Sequence, residues 1–188
     1  MYDDYQGLIF DMDGTLLDTE RPHIKAWQQV LAKYDMEYDY NFMKQFNGAP
    51  TYNFARIIIE KHNRDIDPAI IVEEKVKIVE SIILDEVEML PLFDVVKQYY
   101  GKKPMAIGTG SRRRLAEQLL NHLGVRHYFD AIVGADDVQT HKPSPETFLL
   151  CANLIQVEPQ KCVVFEDADF GIQAAKAANM HFVDVRSL

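Results

Sequence analysis

Residues 7–20 read GLIFDMDGTLLDTE. The run GLIF (7–10) is short, apolar and uninterrupted, the pattern of a strand buried on both faces. It ends in Asp11 and Asp13, followed by Gly14 and, further on, by Asp18 and Glu20. Residues i and i+2 of an extended chain project to the same side, so Asp11 and Asp13 face one site. Gly14 lets the backbone turn sharply behind them. Charge is thereby concentrated at the carboxyl edge of a buried strand, where open α/β sheets bind their ligands.

The same kind of run recurs downstream as PMAIG (104–108), AIVG (131–134), CVVF (162–165) and HFVDV (181–185). Helical patterns separate these runs. One over 111–123 opens on a capping Ser111 and aligns Leu115, Leu119, Leu120 and Leu123 on one face. A second, over 144–155, opens with Ser144 as cap and Pro145 in the first turn, and a third covers 169–178. Alternation of apolar strands with helices predicts an α/β fold, a Rossmann-like parallel five-stranded sheet covered on both faces. The alternation fails over 18–86, where helices are predicted over 20–33, 42–46, 51–62 and 68–84, the last with Ile71, Val72, Val76, Val79, Ile82 and Ile83 on its apolar face. The chain therefore divides into a core of residues 1–17 and 87–188 and a helical cap of residues 18–86, placed where it can act as a lid.

Composition sets limits on partners. At 188 residues and 47% hydrophobic content, the chain has enough apolar surface for a sizeable core and is not disordered. A net charge of -9 argues against nucleic acid, whose phosphates attract basic surfaces. No apolar run approaches the ~20 residues of a membrane span, and MYDDYQ lacks the basic start of a secretory segment. A cytoplasmic monomer is the expectation. Cys151 and Cys162 stand among apolar residues outside any CxxC pattern and are read as buried thiols.

A second acidic cluster, Glu166, Asp167 and Asp169, follows CVVF. In a parallel sheet it meets Asp11 and Asp13 at one edge. Carboxylates so crowded need a counter-cation, and oxygen ligands without His or Cys suit a hard one, Mg²⁺ by default. Asp169 opens a helix and is read as its cap. Two elements suit phosphate. The turn GTGS (108–111) leads into a helix N-terminus, where backbone N–H groups, Thr109 and Ser111 can hold an anion, with Gly110 between them. Arg112 stands nearest that mouth, whereas Arg113 and Arg114 are read as a solvated face. Lys142, stiffened by Pro143 and Pro145, can balance the carboxylates and bind a phosphate oxygen.

These elements, in this order, resemble the haloacid dehalogenase superfamily of phosphotransferases. DMDGT (11–15), Thr109 in AIGTG, Lys142 in KPSPETF and Glu166-Asp167 in VVFEDADFG are similar to its four motifs. The inserted cap resembles that of the β-phosphoglucomutase-like branch, and FEDADFGIQAAKAAN (165–179) is similar to its small bacterial phosphatases of fructose 1-phosphate and 6-phosphogluconate. The resemblance implies a Mg²⁺-dependent sugar-phosphate phosphatase with Asp11 as nucleophile and metal ligand and Asp13 as general acid and base. It implies Mg²⁺ held by Asp11, the Asp13 main-chain carbonyl, Asp167 and, directly or through water, Glu166, and charge stabilisation by Thr109 and Lys142. His23, Lys75 and the loop NGAPT (47–51) with Gly48 would be the cap's contacts to substrate. The mutases of this branch carry an arginine just after that glycine to hold a second phosphate; this chain has Ala49-Pro50, which disfavours a mutase. A β-phosphoglucomutase-type isomerase remains the enzymatic alternative, and a non-enzymatic phospho-acceptor module is the alternative of another class.

Overall fold

The structure is a computed structural model that describes residues 1–45 and 51–188. It divides into two units. The first comprises Met1–Asp18 and Glu88–Leu188, the second Thr19–Val87.

The first unit is built on a parallel sheet. Its strands are β1 (Gly7–Phe10), β4 (Met105–Gly108), β5 (Ala131–Val133), β6 (Cys162–Glu166) and β7 (His181–Asp184), in the order β5-β4-β1-β6-β7. All five grow from the apolar runs of the sequence, and β1 is central, with Leu8, Ile9 and Phe10 wholly buried. Register aligns Phe10 with Ile107 of β4 and with Phe165 of β6. The Phe10 and Phe165 rings stack at 4.7 Å between centroids. The helices of this unit are α5 (Phe93–Tyr99), α6 (Arg113–His122), α7 (Glu146–Leu154) and α8 (Asp169–Ala177). Phe148 and Cys151 of α7 and Ala174 and Ala175 of α8 pack with Ile9, Ala106 and Val164 in one apolar cluster. Each wholly buried Leu, Ile or Phe of such a cluster contributes about 1.5–3 kcal/mol by leaving water. A second sheet has only two short strands, β2 (Leu17–Asp18) and β3 (Glu88–Met89), which pair antiparallel with Asp18 opposite Glu88.

The second unit is helical: α1 (Glu20–Ala32), α2 (Tyr40–Lys44), α3 (Thr51–Lys61) and α4 (Pro68–Glu86). Helix α4 starts where the sequence provides Asp67, whose carboxylate accepts from Ala69 N at 2.9 Å, with Pro68 next in the first turn. Trp27, Val30 and Leu31 of α1 meet Phe54 and Ile58 of α3 and Ile71 of α4 in its core. The buried row of α4 is Ile71, Lys75, Val79 and Ile83, so a lysine occupies one place in an otherwise apolar seam. No helix among the described residues is long and apolar enough to cross a membrane.

Candidate active site

Asp11 is the first residue beyond β1, and its N–H still donates to Phe165 O at 2.9 Å. Glu166 closes β6 on the adjacent strand. Since Phe10 is in register with Phe165, Asp11 and Glu166 are next in line side by side. Neighbouring strands lie about 4.8 Å apart, so two carboxylates are brought together that would repel. Both are buried, at 5% and 1% exposure. Lys142 resolves the conflict: its Nζ donates to Asp11 Oδ1 at 2.7 Å and to Glu166 Oε1 at 2.6 Å. Burial disfavours the Lys142 charge, but Asp11 and Glu166 outweigh it and hold the ammonium above its ordinary pKa. Burial likewise pushes the Asp11 carboxyl up; Lys142 works against this, while Glu166 and Asp13 add to it.

Asp167 joins the pair. One side-chain oxygen from each of Asp11, Glu166 and Asp167 lies within 4.8 Å of the others. Burial, reinforced by Glu166, raises the Asp167 carboxyl to about 6, and Thr15 Oγ1 donates to its Oδ1 at 3.3 Å. Two glycines make room for this cluster. Gly14 has φ +78°, and a Cβ there would stand 2.4 Å from Asp167 Oδ2. A Cβ on Gly171, in α8, would stand 1.8 Å from Glu166 Oε1. Three convergent, partly desolvated carboxylates with no nitrogen or sulfur donor among them are a fitting donor set for a hard divalent cation.

The Asp13 carboxylate is engaged elsewhere. Thr109 Oγ1 and Ser111 Oγ both donate to its Oδ2, at 3.0 and 2.9 Å. Ser111 N donates in turn to Thr109 Oγ1 at 3.0 Å, and Thr109 N to Val133 O at 2.9 Å. The edge of β4 thus holds the second aspartate while β6 and Lys142 hold the first.

Residues 8–185 match the family of haloacid dehalogenase-like hydrolases. The chain belongs to that family. A fructose-1-phosphate phosphatase of Escherichia coli (strain K12) is 59% identical over 188 residues, the full length of both chains. A phosphorylated carbohydrates phosphatase of Thermotoga maritima is 31% identical over 93% of this chain and 82% of its own. Among solved structures, a β-phosphoglucomutase from Clostridium difficile is similar with a TM-score of 0.80 and 30% identity, over 95% of this chain and 83% of that one. A haloacid dehalogenase-like hydrolase is an enzyme.

Three expected helix caps in this hydrolase are corrected. Ser111 does not cap α6, because its hydroxyl is on Asp13. The helix starts two residues later, and Arg113 N donates to Asp136 Oδ1 at 2.7 Å, a cap supplied from beyond β5. Asp136 therefore takes a place at the α6 N-terminus that the sequence reading left for phosphate. Gly110 is the exposed part of that turn. Arg112, Arg113 and Arg114 are all exposed, and the Arg113 guanidinium lies 3.5 Å from Asp137. Ser144 precedes α7 by two residues and reaches Glu146 N only at 3.4 Å. Asp169 is the first residue of α8, not its cap; it accepts from Arg186 Nη2 at 2.8 Å. The amide of Ala168, at the cap position, donates to Glu166 Oε2 at 2.8 Å.

In the helical unit, His23 and Lys75 meet: Lys75 Nζ lies 2.6 Å from His23 Nδ1 and 5.7 Å from the centroid of the Trp27 ring. His23 and Trp27 are four apart on α1, which puts them on one face. Gly48 and the rest of 46–50 lie outside the described residues. Thr15, Asp136, Glu146 and Gly171 were not among the residues expected at this edge. Glu146 accepts from Gln139 N at 2.9 Å and from Thr140 N at 2.7 Å, beside Lys142. Gly171 is the last residue of the motif stretch VVFEDADFG, so its signal was present in the sequence.

Proposed function

We propose that this chain is a Mg²⁺-dependent phosphatase of small sugar phosphates, of the fructose 1-phosphate or 6-phosphogluconate kind. The observation that carries the reading is a buried aspartate at the end of the central strand, flanked by two further carboxylates and an ammonium. The substrate class rests on the identity with the phosphatase of Escherichia coli over the full length of both chains.

In this reading Asp11 attacks phosphorus. A bond forms between its carboxylate oxygen and the phosphoryl group, and the bond to the sugar oxygen breaks. Asp13 gives its proton to that leaving oxygen, then takes a proton from the water that hydrolyses the aspartyl-phosphate, releasing inorganic phosphate and restoring Asp11. The Thr109 and Ser111 hydroxyls, both on Asp13 Oδ2, hold Asp13 in one orientation for the two transfers. Lys142 offsets negative charge on the transferring group, and Thr109 would join it by turning its one hydroxyl proton from Asp13 to a phosphoryl oxygen, leaving Ser111 on Asp13. Asp11, Glu166, Asp167 and the Asp13 main-chain carbonyl would hold Mg²⁺. When bound, the cation would neutralise the repulsion between a carboxylate nucleophile and phosphoryl oxygens. The core of residues 1–17 and 87–188 would carry the bond chemistry, and the cap of 18–86, with His23, Lys75 and Gly48, would select the sugar; Gly110, Ser111 and Arg112 would line the phosphate side. The protein would work as a cytoplasmic monomer.

Release of phosphate from a panel of sugar phosphates, with and without Mg²⁺, tests the reading. Turnover of fructose 1-phosphate that depends on Mg²⁺ supports it. Conversion of β-glucose 1-phosphate with a bisphosphate activator into glucose 6-phosphate, without net phosphate release, would overturn it in favour of a mutase.

A further inference from the structure

Lys142 stands in the segment between β5 and α7, and residues 138–145 form neither helix nor strand. A lysine on irregular backbone ordinarily samples many rotamers. Here its ammonium is fixed between Asp11 and Glu166 and lies 4.7 Å from the centroid of the buried Phe148 ring. The loop that delivers it is tied from one point. Glu146, the first residue of α7, accepts from Gln139 N at its Oε1 (2.9 Å) and from Thr140 N and Thr140 Oγ1 at its Oε2 (2.7 and 2.5 Å). Thr140 Oγ1 also lies 2.7 Å from Ser144 Oγ, and Ser144 N donates to His141 O at 2.9 Å. Both oxygens of one carboxylate thus close the backbone on the N-terminal side of Lys142 onto the helix on its C-terminal side.

We propose that Glu146 is a positioning residue for Lys142: it clamps the 139–146 loop so that the ammonium is held between Asp11 and Glu166, and it acts on the reaction only through that lysine. The inference rests on the reading above, in which Lys142 bears on the transferring phosphoryl group. The bland alternative is local. An acid in the first turn of α7 interacts favourably with the helix dipole and stabilises the fold without regard to the lysine. The two accounts separate on whether the effect of Glu146 disappears when Lys142 is removed.

The experiment compares wild type, Lys142→Ala, Glu146→Ala, Glu146→Gln and the double variant Lys142→Ala with Glu146→Ala. Each is assayed for hydrolysis of fructose 1-phosphate, with thermal melting as the check of folding. Acetylation of Lys142 by acetic anhydride, mapped by mass spectrometry, is measured on the variants that keep the lysine. Clamping predicts that Glu146→Ala lowers kcat by about 10- to 100-fold, the scale of a misplaced catalytic group, with KM changed far less. Glu146→Gln, which keeps an acceptor for Gln139 N, loses less and serves if the alanine variant does not fold. Glu146→Ala costs nothing further in the Lys142→Ala background, and Lys142 in Glu146→Ala is acetylated faster than in wild type. An equal loss with and without Lys142, or unchanged Lys142 acetylation in a folded variant, overturns the clamp. Full activity in Lys142→Ala overturns the role of the lysine instead, and the acetylation rate still decides whether Glu146 positions it.

Discussion

Gly171 lies against Glu166 so closely that no side chain fits between them: a Cβ on the glycine would stand 1.8 Å from Oε1 and 2.0 Å from Cδ of the glutamate. Gly171→Ala must therefore displace Glu166 from Lys142, which it contacts at 2.6 Å. Groups that orient a metal site typically cost 10–100-fold in metal affinity when disturbed. The Mg²⁺ concentration for half-maximal phosphatase rate is expected to rise by about that factor in Gly171→Ala. An unchanged half-saturation in a folded variant would remove Glu166 from the metal site.

The two aspartates of DMDGT are expected to fail differently. Asp11→Asn, which would remove the proposed nucleophile, is expected to abolish turnover. Asp13→Asn keeps a side chain that Thr109 and Ser111 can still hydrogen-bond, but one that cannot exchange a proton, so kcat falls by about 10²–10⁴-fold with KM changed much less. Steady-state kinetics of the two variants decide this. Wild-type turnover in Asp11→Asn would refute the aspartyl-phosphate route.

Removal of metal is expected to stop the reaction and soften the protein together. Asp11 and Asp167 are both raised by burial and by neighbouring carboxylates, a repulsion that a bound cation would relieve. EDTA should abolish phosphate release and Mg²⁺ restore it. At 100 times its dissociation constant, a ligand bound only by the folded state adds about 2.7 kcal/mol, so the melting temperature should rise with Mg²⁺. Activity that persists in EDTA would exclude the metal from the mechanism.

Alkaline pH is expected to destabilise the fold through its thiols. Cys151 and Cys162 are free and buried. Burial pushes the Cys162 thiol up to about 11 and the Cys151 thiol up as well. Unfolded thiols titrate near ~8.5, so the folded chain retains protons that the unfolded chain releases. The thiol contribution is thus fully present below about 8.5 and is lost as pH rises toward 11. Lys142, also raised, acts in the same direction. Urea unfolding between pH 8 and 10.5 should show stability falling with pH, and Cys151→Ala with Cys162→Ala should flatten the slope. A slope the double variant leaves unchanged would assign the effect elsewhere.

How much of this was legible in the sequence depends on the range of the forces involved. The five core strands and their parallel sheet could be read because GLIF, MAIG, AIV and CVVFE are uninterrupted apolar runs, buried throughout, while HFVD, exposed or half-buried at the sheet edge, shows itself by its aromatic and β-branched residues. The convergence of Asp11 with Glu166 and Asp167 followed from strand ends meeting at one edge. The cap of α6 could not be read so. Ser111 looked sufficient locally, but its hydroxyl was drawn to Asp13, and Asp136 caps Arg113 N instead from 23 residues further along the chain. Strands β2 and β3 have two residues each, too few for any periodicity to register. Lys75 was read as a contact of the cap, yet its place in the buried row of α4, against His23, is set by packing that residue spacing does not reveal.

The pairing of Asp18 with Glu88 has an evolutionary corollary. Antiparallel partners lie about 5 Å apart, so the chain leaves the sheet-bearing unit and rejoins it at virtually one point. Closing a gap of that size takes only a short turn, and lengthening the excursion costs little more in entropy. Residues 19–87 therefore form a cassette: on the division of labour proposed above, a lineage that traded it for a different excursion would acquire a new appetite while inheriting the same chemistry.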